Sequence, residues 1–193
     1  MGHEPSRQVP LPPAAQARLQ AYEALVGAYA DRLNLVAPGD LRSFRARHIA
    51  DSLRALPLLR GAPPGPAIDV GSGAGLPGVP LAIAQPSRLW RLLEARPRRA
   101  AFLEEVVRTL ELDCEVIVAR AQDAARRPSL ARAHVAATAR ALAPPQRAVA
   151  LLLPFLAPGG AALVFVGARS RIPPGAEEPA PGLAIIRADG LSG

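Results

Sequence analysis

The stretch Ile68-Asp69-Val70-Gly71-Ser72-Gly73-Ala74-Gly75-Leu76-Pro77-Gly78 leads an apolar, strand-like run into a helix-like one through a glycine loop. Residues without a Cβ let the chain turn tightly and bring backbone amides against a ligand, and four glycines between positions 71 and 78 are costly in backbone entropy unless something is gained. The free amides at the start of the following helix point at the same place. Spacing separates the candidate ligands. A dinucleotide fingerprint needs Gly-x-Gly-x-x-Gly, but Leu76 stands three places after Gly73 and the third glycine, Gly75, comes one place early. A phosphate loop with its lysine is excluded, because the chain contains no lysine. Gly-x-Gly-x-Gly is the commoner arrangement where S-adenosylmethionine is held.

Two further groups bear chemistry. Glu94 closes a second apolar run about 20 residues past the loop, where a carboxylate accepts hydrogen bonds from ribose hydroxyls; the alternative is a pairing with Arg96 or Arg98. In Arg47-His48-Ile49-Ala50-Asp51-Ser52-Leu53, helical spacing puts Asp51 and Ser52 on one face with His48. One helical face does not place a serine and a carboxylate on opposite ring nitrogens, so a hydrolytic triad is not expected. A surface ion pair of Arg47 with Asp51 is the plain alternative.

These groups need a scaffold, and the chain supplies an alternating one. Strands are predicted at 67–70, 89–94, 115–119, 134–139 and 161–166, with helices at 79–84, 98–112, 121–131 and 146–156 between them, the pattern of a doubly wound, mostly parallel α/β sheet. Ligands bind such sheets at the carboxyl ends of the strands, where the glycine loop lies. Before the sheet, Leu19, Tyr22, Val26, Tyr29 and Leu33 form one apolar stripe on a helix over 14–33, and a second helix is predicted over 41–56. Domain boundaries follow: a disordered leader at 1–13, a helical extension at 14–60, and the α/β domain at 61–193, opened by a Pro/Gly linker at 61–66. Residues 172–181 read as an Ala/Pro-rich loop.

Composition narrows the partners. All 23 basic residues are arginine, and the formal charge of +7 points to a polyanion, since arginine pairs bidentately with phosphate; arginine standing in for lysine on an ordinary surface is the alternative. A single cysteine, Cys114, excludes an internal disulfide and a cysteine-based metal site, and no metal is expected. No apolar run reaches membrane-spanning length and 1–13 lack a signal-peptide core, so a cytoplasmic protein is expected.

Taken with Asn34-Leu35-Val36, Arg98-Arg99-x-x-Phe102-Leu103 and Arg140-Ala141, the glycine loop and the Arg47-His48-x-x-Asp51-Ser52-Leu53 cluster make the chain resemble the RsmG (GidB) family over residues 19–167. The resemblance implies the Rossmann-like fold of S-adenosylmethionine-dependent methyltransferases and transfer of a methyl group to a guanine N7 of 16S ribosomal RNA; the small subunit is the expected setting of that RNA, and a monomer is the simplest expectation for the enzyme. Cofactor contacts would fall to Gly71, Ser72, Gly73, Leu76, Glu94, Ala121, Gln122 and Arg140. His48, Asp51 and Ser52 would line the target side, with His48, Asp51 and Arg140 positioning charge there. Arg42, Arg45, Arg47, Arg96, Arg98 and Arg99 are the candidates for RNA phosphates. The chain departs from the family pattern at Val135 (an aspartate in relatives), Gln122 (a glutamate) and Val166 (a lysine), and it ends at Gly193 where a last antiparallel strand is expected to begin. A catalytically weak RNA-binding or ribosome-assembly protein on the same fold is the competing reading; a nicotinamide oxidoreductase and a small-molecule methyltransferase stand further off.

Overall fold

The computed structural model describes residues 10–37, 39–167 and 170–188. Of the predicted leader, positions 1–9 lie outside them, as do Arg169 and the terminal 189–193. Helix α1 (Pro13–Leu33) is followed by a 3-10 turn (Asp40–Ser43), one π-helical turn (Arg45–Ile49), α2 (Ala50–Leu53) and α3 (Leu56–Arg60). The α/β part runs β1 (Ala67–Val70), α4 (Gly78–Ala84), β2 (Trp90–Glu94), α5 (Pro97–Thr109), β3 (Cys114–Val118), α6 (Ala121–Ala124) and β4 (His134–Arg140). It continues through α7 (Pro145–Leu152), a 3-10 turn (Leu153–Phe155), β5 (Leu156–Phe165), β6 (Glu177–Ala180) and β7 (Leu183–Arg187).

Seven strands form one sheet in the order β3-β2-β1-β4-β5-β7-β6, with β3 through β5 mutually parallel and β7 antiparallel to both its neighbours. Chain order reverses between β1 and β4, which makes the carboxyl ends of those strands the natural crevice. Strand β1 is buried along its whole length, as a central parallel strand covered on both faces must be. On one face, α7 packs Ala148, Val149 and Leu152 against Val70, Ala139 and Val164. On the other, α1 contributes Leu19, Tyr22 and Val26 to a cluster with Val79, Leu92, Phe102 and Leu103, so the helical extension shares a core with the glycine-loop side of the sheet.

The structure corrects several expectations. The single helix over 41–56 is broken into four pieces: Gly39 at φ +88° sets off the 3-10 turn, Ser52 Oγ donates back to the His48 carbonyl (2.7 Å), and Pro57 opens α3 because it lacks the amide that would continue the preceding helix. The helix over 98–112 stops at Thr109, before Glu111 turns left-handed at φ +50°. The one over 121–131 is a single turn, Pro128 falling in its second half. The helix over 146–156 gives way after Leu152 to the 3-10 turn, Pro154 again lacking an amide, and the fifth strand begins five residues earlier than 161.

The loop expected at 172–181 is also corrected, whereas the strand expected to begin at the end of the chain lies outside the described residues. Within the supposed loop at 172–181, Glu177–Ala180 forms β6, and a turn at Pro181-Gly182 returns the chain as β7 beside β5. Pro179 is tolerated because β6 lies at the edge of the sheet, while the inner β7 is buried over Leu183, Ala184, Ile185 and Ile186.

Candidate active site

The glycine loop sits at the carboxyl end of β1, beside the switch between β1 and β4. Gly71, Gly73 and Gly75 adopt φ of +74°, +57° and +97°, a region L-side chains avoid. A Cβ on Gly71 would also come within 2.6 Å of Leu142 Cδ1. Glu94, only 6% exposed at the end of β2, accepts the Gly73 amide on Oε2 (2.9 Å) and the Arg96 amide on Oε1 (2.8 Å). It forms neither of the ion pairs weighed for it; instead it ties the loop to the start of α5. Its two oxygens offer about four acceptor positions, of which the amides take two. Those left over suit ribose hydroxyls, so the residues present fit an adenosine-bearing cofactor. Ser72 is buried with Oγ on the Asp69 carbonyl (3.0 Å), and Leu76 is buried against α1 and α5. Ala121 is half-buried and Gln122 exposed on α6, just past the end of β3.

Asp69, the acid inside the otherwise apolar β1, supports the loop, a role that sequence reasoning did not give it. It is fully buried; Oδ1 accepts the Thr138 hydroxyl of β4 (2.8 Å) and Oδ2 the Gly78 amide (3.2 Å). Burial raises its pKa to about 6, opposed by those hydrogen bonds and by Arg140.

Opposite the loop, Arg140 ends β4 with its side chain 17% exposed and reaches back to the broken helix. It contacts His48 Nδ1 at 2.5 Å and Asp51 Oδ2 at 3.4 Å. A guanidinium only donates, so Nδ1 accepts and Nε2 carries the proton that it offers to Asp40 Oδ2 (3.3 Å). Burial first, and the Arg140 charge second, hold the His48 pKa below its ordinary value, which agrees with a neutral ring. Asp51 is gripped from its other side by Arg54 Nη1 (2.7 Å), whose Nη2 donates to the Pro181 carbonyl. His48 and Asp51 are thus brought together with Arg140, whereas Ser52 is not: it is fully buried and bonds its own helix. Nor does Arg47 pair with Asp51; it donates to Asp40 at 2.6 Å.

The six candidate phosphate ligands divide. Arg42, Arg96 and Arg98 are exposed, Arg45 pairs with Glu23 of α1 at 3.2 Å, and Arg47 remains largely exposed despite its bond to Asp40. Arg99 is turned inward, donating to the Leu33 and Asn34 carbonyls (3.4 and 2.5 Å), where a cation satisfies the carboxyl end of α1. Of the departures, Val135 lies at the amino end of β4 with its amide on the Pro66 carbonyl, at the opposite end of the strands from the loop. Val166 is buried in the cluster with α7.

Residues 15–178 match the family described as GidB, rRNA small subunit methyltransferase G. The chain belongs to this family. A ribosomal RNA small subunit methyltransferase G of Granulibacter bethesdensis is 43% identical over 150 residues, covering 78% of this chain and 67% of that protein. One from Frankia alni is 51% identical over 105 residues, covering 53% of this chain and 40% of its own length. Among solved structures, a Corynebacterium glutamicum protein at 15% identity superposes with a TM-score of 0.60 over 87% of this chain and 89% of its own, a likeness of fold. For a methyltransferase G family member, the cofactor is S-adenosylmethionine, and the sheet is that of a Rossmann-like methyltransferase. Among the described residues no helix is long and apolar enough to cross a membrane.

Proposed function

We propose that this protein transfers a methyl group from S-adenosylmethionine to N7 of a guanine in 16S ribosomal RNA, acting as a monomer on the small subunit in the cytoplasm. The observation that carries the reading is that a glycine loop pinned by Glu94 leaves the carboxyl end of β1 while an Arg140-His48-Asp51 group that contains no free base stands at the carboxyl end of its parallel neighbour β4. Guanine N7 bears an in-plane lone pair and no proton. The bound cofactor would supply a methyl group on a sulfonium, and its transfer to N7, with the carbon–sulfur pair returning to sulfur, would move one positive charge and create none.

Such a reaction needs alignment rather than proton removal, and prepaid orientation is worth about 7–11 kcal/mol of barrier. Gly71, Ser72, Gly73 and Leu76 would supply the loop that holds the cofactor, Glu94 its ribose acceptors, and Ala121 and Gln122 the adenine side. Arg140 would face the methionine end and the incoming base. Asp51, already shared by two arginines, would serve to position Arg140 rather than to offset charge on guanine, and His48 would keep the guanidinium apart from Asp40. Arg42, Arg45, Arg47, Arg96 and Arg98 would grip phosphates on either side of the crevice. Because the A-form major groove is deep and narrow, the target guanine would lie in a loop or be extruded.

The test is to incubate the protein with labelled cofactor and small subunits from cells lacking the native enzyme, then map the modified position. Label on a 16S guanine N7 is the expected result. Cofactor binding without any transfer would replace the reading with that of a catalytically weak RNA-binding protein.

A further inference from the structure

Beyond the amides of Gly71 and Ser72 on the Leu93 carbonyl and those of Gly75 and Leu76 on the Ser72 carbonyl, three side chains bond to the loop's backbone. Two of the holding groups, Glu94 on the Gly73 amide and Asp69 on the Gly78 amide, stand on strands of the sheet. The third comes from outside it. Tyr22 of α1 is fully buried and donates its hydroxyl to the Ala74 carbonyl at 2.8 Å, across 52 residues of chain. The phenol reaches that carbonyl because Gly75 is bare: a Cβ there would stand 3.2 Å from Tyr22 Oη and 2.7 Å from Val79 Cγ2. The ring packs on Phe44 (centroids 5.7 Å apart), which packs in turn on His48 (5.5 Å).

From this geometry we infer that Tyr22 is a positioning residue for the cofactor, its hydroxyl fixing the Ala74 carbonyl at the middle of the glycine loop. The inference rests on the cofactor reading above. Glycine at 71, 73 and 75, each with positive φ, leaves residues 71–75 more backbone freedom than other residues would. Fixing the Ala74 carbonyl in the middle of the loop removes part of that freedom before ligand arrives, and affinity rises by the ordering that binding no longer has to supply. The helical extension is on this account part of the cofactor site and not an appendage to it.

Tyr22→Phe deletes the hydroxyl and keeps the ring, and Tyr29→Phe, on the same helix but packed on Phe102, is the control. The full-length proteins are titrated calorimetrically with S-adenosylhomocysteine, and amide hydrogen exchange is followed without ligand. Loss of one buried hydrogen bond predicts a Kd about 2–12-fold higher for Tyr22→Phe. Exchange should quicken by a similar factor at the amides of residues 73–76 and stay unchanged in β1, β2 and β4. The control should alter neither. Equal affinity in Tyr22→Phe and wild type overturns the inference, as does exchange that quickens evenly through α1 and the sheet, or loss of a cooperative unfolding transition, since the hydroxyl would then be holding the domain and not the loop. If the wild type fails to bind S-adenosylhomocysteine, the cofactor reading falls, and the exchange comparison alone still decides whether Tyr22 fixes the loop.

Discussion

Replacing Glu94 by glutamine probes the cofactor side with a change of one atom. The carboxylate accepts two backbone amides, from Gly73 and Arg96, one on each oxygen. A glutamine has a single acceptor oxygen, so whichever way the amide turns, an NH2 group is set against a backbone N–H at a distance of 2.8 or 2.9 Å. With the residue only 6% exposed, water does not readily repair the mismatch. Losing a hydrogen bond to a charged partner costs about 1.5–3 kcal/mol, which for a chain of this size lowers Tm by about 3–12 °C. Binding suffers separately. The carboxylate keeps about two acceptor positions for ribose hydroxyls, the glutamine about one, and a further loss of about 1.5–3 kcal/mol weakens the cofactor complex roughly 10–150-fold. Thermal unfolding reads the first effect, and calorimetry with S-adenosylhomocysteine, below the variant's own transition, reads the second. A Glu94→Gln protein that binds as tightly as wild type would refute the assignment of these oxygens to loop and ribose.

Glycines of the loop should differ in what they tolerate. A Cβ on Gly73 meets nothing closer than 3.8 Å, so Gly73→Ala costs only the left-handed backbone, about 1–2 kcal/mol. On Gly78 it meets Leu92 Cδ2 at 2.6 Å and Asp69 Cβ at 2.8 Å, and overpacking together with the disturbed Asp69 bond costs about 3–5 kcal/mol; denaturant melts that reverse this order contradict the packing described. Acid should impair the Arg140 group. His48 faces Asp40, Arg47 and Arg140, and its folded pKa lies below 6.5, so the unfolded chain takes up the proton first and stability falls as pH drops from about 6.5 through the folded value. Protonated Nδ1 also turns a donor toward Arg140; the acid limb of kcat/KM should therefore have its midpoint below 6.5 and move or vanish in His48→Asn, and an unaltered limb assigns it elsewhere. Asp69 acts in the opposite sense. With its pKa raised from 3.8 to about 6, the stability it contributes in the protonated form is full below about 4 and lost as pH rises through 6, so urea unfolding of Asp69→Asn should lack that slope between pH 4 and 7.

The parts of the site that were legible in the sequence are those whose physical requirement is local. A run of glycines is a statement about φ at those residues, and the structure supplies positive values at Gly71, Gly73 and Gly75. Glu94 was legible because an acid at the end of a parallel strand has one place to go, the crevice beside the next loop. The alternation of strands and helices needed only the period of the apolar residues, so β1 to β4 emerged within a residue of their true limits, while β5 begins five residues before its expected start. Helix ends and β6 did not, since Pro128, Pro154 and Pro179 exert their effect according to what lies beside them: the first two limit helices, and the third is harmless on an edge strand.

The rest of the site is nonlocal, and its chemistry changed with its partners. Spacing alone puts His48, Asp51 and Ser52 on one face, but helical spacing says which side chains are near one another and not which of them meets something else. Ser52 satisfies itself on the carbonyl of its own helix. Asp51 and His48 are met by Arg140 from 89 and 92 residues away, and that arginine decides both the tautomer of the histidine and the meaning of the carboxylate. An isolated Asp51 would be an anion available to a base that gains positive charge; between Arg54 and Arg140 it is a clamp in a group whose three charges sum to a positive value. Tyr22 follows the same logic. Its place on the apolar stripe of α1 accounts for the ring, and only the fold, by laying Ala74 above it, gives the hydroxyl a purpose.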